Sequence, residues 1–164
     1  MCLSAIPIII LVLILLRISW IDWKTQEIPD GLILTGSLTG LIWIGLSWLF
    51  PVWGAITPIL AGLGVLAGAL PLLLIDRLAL WILKKDAFGY GDVKLMGMAG
   101  LYLGPWLIFP AYFFAFVLAG GYSVLLIAVG KAGRGDYLAF GPFLSVGVLI
   151  AFFFGELFMY LILW

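Results

Sequence analysis

Residues 95–130 read LMGMAGLYLGPWLIFPAYFFAFVLAGGYSVLLIAVG, 36 consecutive positions without a charged side chain. A bilayer-spanning helix needs ~20 mostly apolar residues, so the stretch is too long for one span. Gly104-Pro105 supplies a natural break inside it. The reading therefore divides it into a short helix at about 93–104 and a longer one at about 106–130. Outward from there, further apolar runs stand at roughly 3–21, 31–50, 55–75 and 143–164. The expectation is an all-α, polytopic membrane helix bundle of about six transmembrane helices.

Composition points the same way. Hydrophobic residues make up 66% of the 164 positions and charged residues 10%, far too apolar for an ordinary soluble domain. Many of the eight Trp fall near the ends of apolar runs, where amphipathic rings favour the headgroup zone. The lipid bilayer is thus the first partner implied. A net charge of zero and the lack of a basic tract give no reason to propose a nucleic-acid partner. With one cysteine, Cys2, and no histidine, a disulfide, a zinc site or a haem centre is not expected within the chain. The apolar start, Met1 to Trp20, lacks a basic n-region and a small-x-small cleavage site, so it reads as a retained first helix.

Six spans would place the connections around 22–30, 76–92 and 131–136 on one side, with the turns near 51–54 and 104–105 and both termini on the other. Arg17 and Lys24 flank the first connection, Arg77, Lys84, Lys85 and Lys94 the second, and Lys131 and Arg134 the third. All basic residues then share one side, which the positive-inside rule makes cytoplasmic, with both termini outside. Small residues at four-residue spacing, Gly36 and Gly40, Gly64 and Gly68, Gly100 and Gly104, are read as helix-packing positions. No repeat or linker divides the chain, so a single domain over 1–164 is expected.

Two carboxylates stand out against this background, because ionisable groups at membrane helix ends are costly. Asp22 ends the first helix and Asp92 begins the fourth. With odd helices running inward and even helices outward, both acids reach the same cytoplasmic face although 70 positions separate them (92 − 22). Asp92 follows two glycines in Phe88-Gly89-Tyr90-Gly91-Asp92. Glycine permits unusual dihedrals and close approach of another backbone, as an extended peptide laid beside a reacting centre requires. An acid that merely complements a helix dipole is the plainer alternative. Arg17 is expected to snorkel, and Glu156, about 12 Å from the chain end at 1.5 Å per residue, lies on the wrong side for catalysis.

Gly89-Tyr90-Gly91-Asp92-Val93-Lys94-Leu95 resembles the Gly-x-Gly-Asp-x-Lys-Leu signature of bacterial type IV prepilin peptidases. Ile21-Asp22-Trp23-Lys24-Thr25-Gln26-Glu27-Ile28-Pro29-Asp30 resembles the first catalytic motif of that family, an Asp followed seven residues later by Pro-Asp or Pro-Asn. Phe140-Gly141-Pro142-Phe143-Leu144 resembles the Phe-Gly-Pro segment before the last helix. The three lie in the family's order. Asp86 stands where many relatives carry Glu.

The resemblance implies a membrane aspartyl endopeptidase with Asp22 and Asp92 as the catalytic pair. It also implies that Gly89, Gly91, Lys94, Pro29, Asp30, Gly141 and Pro142 shape the site or meet the substrate. No metal and no cofactor are implied. Two close carboxyls would share one proton near neutral pH, the ionised member activating water and the protonated member polarising the scissile carbonyl. The implied substrate is a prepilin or pseudopilin of a type IV pilus, type II secretion or competence system. Its short basic leader would be cut after a terminal Gly at the cytoplasmic face of the inner membrane.

Larger family members carry an amino-terminal methyltransferase domain with paired Cys-x-x-Cys motifs. This sequence shows no counterpart, so the expectation is a peptidase-only member. A related Gly-x-Gly-Asp protease with another membrane substrate, such as a preflagellin, is the nearest alternative. A small transporter is the rival from another class, disfavoured because the acids cluster at one face rather than at the midplane.

Overall fold

A computed structural model of the chain describes residues 5–50, 56–84, 89–131 and 138–163. Five helices follow one another: α1 (Ala5–Thr25), α2 (Asp30–Leu49), α3 (Pro58–Leu83), α4 (Tyr90–Ala128) and α5 (Gly141–Leu163). Each is long and apolar enough to cross a membrane, and no strand occurs among the described residues. The large apolar side chains left exposed on every helix, such as Leu13, Leu38, Leu74, Phe109 and Phe153, form the kind of surface that lipid solvates. The chain is an all-α membrane helix bundle.

The 36-residue uncharged stretch breaks where the sequence suggests. Gly104 adopts φ 67° and ψ −179°, a left-handed φ open to glycine because it lacks a Cβ. Pro105 starts the next turn, where its missing N–H matters least. The break folds α4 into a hairpin rather than a bend. The Met96 carbonyl in the first arm lies against Gly68 of α3, and the Tyr112 hydroxyl in the second arm donates to the Gly68 carbonyl. Residues on opposite sides of Gly104 thus return to one level of α3. The first arm runs antiparallel to α3, since Gly64 faces Gly100 and Gly68 faces Met96. The same arm runs parallel to α2, where Gly36 abuts Met98 and Gly40 abuts Tyr102.

All three glycine pairs serve packing, as expected from their spacing. A Cβ on Gly64 would collide with the Gly100 carbonyl, and one on Gly147 of α5 with the Ala111 carbonyl of the second arm. α4 consequently occupies the centre, packed on α3, α5 and α2. Buried Leu95, Met96 and Ile108 of α4 meet a core that includes Leu15 and Ile18 of α1, Leu72 of α3, and Leu144 and Val148 of α5.

Three sequence boundaries are corrected. The third helix runs past position 75 to Leu83, so Asp76 and Arg77 belong to α3 and not to a connection. The apolar run Leu78-Ala79-Leu80-Trp81-Ile82-Leu83 continues the helix beyond the charged pair, and Pro71 inside α3 does not stop it. α1 likewise extends to Thr25, which puts Asp22 inside its last turn. The fourth helix begins at Tyr90, so Asp92 lies within its first turn. Cys2, Lys85, Asp86, Phe88, Arg134 and the turn at 51–54 lie outside the described residues.

Candidate active site

The last turn of α1 closes on a left-handed residue. Gln26 has φ 55° and its N–H donates to the Asp22 carbonyl at 2.8 Å, an arrangement that commonly ends helices. The chain then turns through Glu27 and Ile28 to Pro29, whose extended conformation (φ −65°, ψ 124°) caps α2 at Asp30. Across from this connection Gly89 caps α4, and the Asp92 N–H donates to the Gly89 carbonyl at 3.1 Å. Asp92 therefore occupies the first helical turn, where an acid complements the dipole.

Between these two segments lies a cavity of about 470 Å³, lined by Asp22, by Gln26 to Asp30 and by Gly89 to Asp92. Both central acids are nearly enclosed, Asp22 at 4% and Asp92 at 9% exposure. Both border the same cavity. Each is also held by main chain. The Gly141 N–H at the start of α5 donates to Asp22 Oδ2 at 3.0 Å, and the Gly89 backbone approaches the Asp92 carboxyl. Amide donors aimed at a carboxyl fix its position without introducing a competing charge.

The glycines act through space rather than dihedral. Gly89 has an ordinary φ of −73°, and the positive-φ glycines among the described residues are Gly104 and Gly130. A Cβ on Gly91 would stand 2.9 Å from the Ile28 Cβ, so the missing side chain lets α4 close against the α1–α2 connection. A Cβ on Gly141 would stand 2.8 Å from Asp22 Oδ2, so this glycine is what lets its amide reach the acid. Pro142 is the second residue of α5, a position where proline is tolerated.

Lys94 reaches α2 and not Asp92. Its Nζ pairs with Asp30 Oδ1 at 2.7 Å, an exposed bridge that joins α4 to the start of α2 beside the cavity. Behind the site, ring contacts join three helices. Trp23 of α1 lies 5.7 Å from Tyr122 of α4, and Tyr122 lies 5.5 Å from Phe143 of α5. Arg17 is on the exposed side of α1. Glu156 borders a separate, mainly apolar cavity with Leu60, Gly104 and Met159, at the opposite end of the bundle.

The structure thus gathers Asp22, Asp92, Gly89, Gly91, Pro29 and Asp30 around one cavity. Gly141 stands directly behind Asp22. Sequence reasoning passed over Gln26, Glu27, Ile28 and Tyr90, which line the same cavity. It also left out Asp76, buried in α3. An acid inside an apolar run is a signal in itself, but here the helix was ended just before it.

Comparison with known proteins adds an independent line. A sequence profile of the type IV leader peptidase family matches residues 9–124. A Burkholderia pseudomallei protein named prepilin leader peptidase/N-methyltransferase is 36% identical over 156 residues, covering 91% of this chain and 46% of its own length. Proteins of the same name from Pseudomonas putida and Escherichia coli are each 32% identical, over 144 and 142 residues. Those matches cover 87% and 82% of this chain, and 47% and 57% of the relatives. The chain spans about half the length of the curated relatives it matches. No solved structure matches it. With the profile extending over most of the helices that build the cavity, the chain belongs to the type IV leader peptidase family.

Proposed function

We propose that this chain is a membrane aspartyl endopeptidase that removes the short basic leader of a type IV prepilin or pseudopilin, with Asp22 and Asp92 as its catalytic pair. The observation that carries the reading is the burial of both carboxyls at one cavity, each beside a backbone donor. In the reaction one carboxylate takes a proton from water as the water attacks the scissile carbonyl. The other, protonated, donates to the carbonyl oxygen; as the C–N bond breaks it takes that proton back, and the first gives the proton it took from water to the leaving amine. Close acids sharing a single proton suit both tasks in one ionisation state. The Gly141 amide keeps Asp22 in place throughout, and the connection around Ile28 and Gly91 forms a wall beside which an extended peptide can lie.

The site faces the cytoplasm in this reading. The described basic residues Arg17, Lys24, Arg77, Lys84, Lys94 and Lys131 belong to the cavity-side halves of their helices or to the flanks there, the bias that the positive-inside rule associates with the cytoplasm. A leader held in the cytoplasm by its charge, followed by an apolar stem in the bilayer, would present its junction at that level. The test is incubation of the purified protein with a prepilin and mapping of the cut by mass spectrometry. Cleavage should follow the leader-ending Gly. Asp22→Asn and Asp92→Asn should each reduce kcat by roughly 10²–10⁴-fold, and the double variant should be little worse than either single, as for groups that act as one unit. Normal cleavage by both single variants would end the aspartyl reading.

A further inference from the structure

Asp76 is as deeply buried as the proposed catalytic pair, at 3% exposure, yet it is not among the residues lining the cavity. The residue is engaged rather than free. A buried carboxylate survives in a membrane helix where other groups satisfy it. The register of the bundle indicates where those groups are. α4 is the helix against which α3 packs, so burial on α3 means facing α4. Gly64 meets Gly100, and Gly68 meets Met96 and Gly97. Each four residues forward on α3 correspond to four residues back on the first arm of α4. Asp76, eight residues beyond Gly68, therefore lies at the level just before Gly89, the residue that caps α4. Arg77 agrees with that level, since its Nη2 donates to the Tyr90 hydroxyl at 2.9 Å.

The start of α4 has no side-chain cap among its own residues. Gly89 provides no side-chain hydrogen bond to the first turn, which leaves amide donors of that turn in need of acceptors. We infer that Asp76 is a positioning residue: its carboxylate fixes the Gly89–Asp92 turn from the α3 side and so holds Asp92 in register with Asp22. In the next turn of α4, Lys94 is tied to Asp30 of α2. The inference rests on the peptidase reading for its kinetic consequence but not for its structural one.

Two measurements on the full-length protein in detergent or nanodiscs test it. Hydrogen–deuterium exchange should quicken in the segment 89–95 of Asp76→Leu, with the other helices unchanged. Prepilin cleavage by the same variant should lose kcat by about tenfold or more while KM stays near wild type, since misplacing a reacting group acts on the chemical step. Asp76→Asn, which keeps an acceptor of the same size, should fall between wild type and Asp76→Leu in both measurements. If the Leu variant fails to insert, exchange in Asp76→Asn decides alone. Unchanged exchange at 89–95, faster exchange spread over all helices, or a change confined to KM overturns the positioning role. A wild-type protein that cuts no prepilin overturns the peptidase reading, and the exchange result then judges Asp76 independently.

Discussion

At Asp22 a carboxyl, an amide and a missing methyl group meet within one contact distance. Gly141 donates its N–H to Asp22 Oδ2 at 3.0 Å, and a Cβ on the same residue would stand 2.8 Å from that oxygen. The amide can therefore serve the acid only while the residue is glycine. Gly141→Ala should push the carboxyl aside into the cavity it lines, because the added Cβ is hemmed in on its other side by Ile28 at 3.2 Å. The expected outcome is a loss of cleavage rate of about tenfold or more, with expression and helix content retained. Wild-type turnover by a folded Gly141→Ala protein would show that Asp22 does not need this amide. The two acids were legible in the sequence because each carries a local pattern, two glycines before Asp92 and Pro-Asp after Asp22. The hydrogen bond from Gly141 was not, since its partner is 119 positions away (141 − 22) and only the packing of α5 on α1 brings them together.

Among the helices, α4 concentrates the constraints. Its first arm lies so close to α3 that backbone touches backbone at Gly64 and Gly100, and without a hydrophobic driving force between helices in lipid such contact is a principal source of adhesion. Gly100→Ala should open this interface and destabilise the bundle by about 1–3 kcal/mol or more, seen as a lower melting temperature in detergent. Gly45→Ala offers the control, as nothing lies within 4 Å of an added Cβ there, and it should melt like wild type. Equal melting of the two variants would mean that the α3–α4 contact contributes little to stability. The sequence disclosed the hairpin through length and Gly104-Pro105 alone, because 36 uncharged residues exceed one span. It misplaced the end of α3 because a charged pair inside an apolar run resembles a boundary. Burial of Asp76 and the bond from Arg77 to Tyr90 arise only in the folded bundle, and no local pattern reveals them.

Over the whole molecule, the direction of each segment follows from the contacts just described. α1 enters the site end with Asp22, and α2 leaves it at Asp30 beside Lys94. α3 returns to that end, since Arg77 reaches Tyr90. The first arm of α4 departs with Asp92 and turns at Gly104 near Ile56. The second arm comes back until Tyr122 meets Trp23, and α5 departs again from Gly141. Six segments alternate, which is the arrangement needed for six crossings. The basic residues then divide the two ends unequally, and exposed Trp20, Trp23 and Trp81 at the site end face Trp48 and Trp106 at the other, as expected for two interfacial belts. With Cys2 replaced, single cysteines at Gln26 and Lys131 should therefore react with an impermeant thiol reagent only from the cytoplasmic side of inverted vesicles, and one at Phe50 only from the opposite side. Labelling of Gln26→Cys and Lys131→Cys from opposite sides would break the six-crossing arrangement. Labelling of both only from the side opposite the cytoplasm would keep the bundle but reverse it, placing the cavity away from any leader retained in the cytoplasm and removing the proposed substrate along with the orientation.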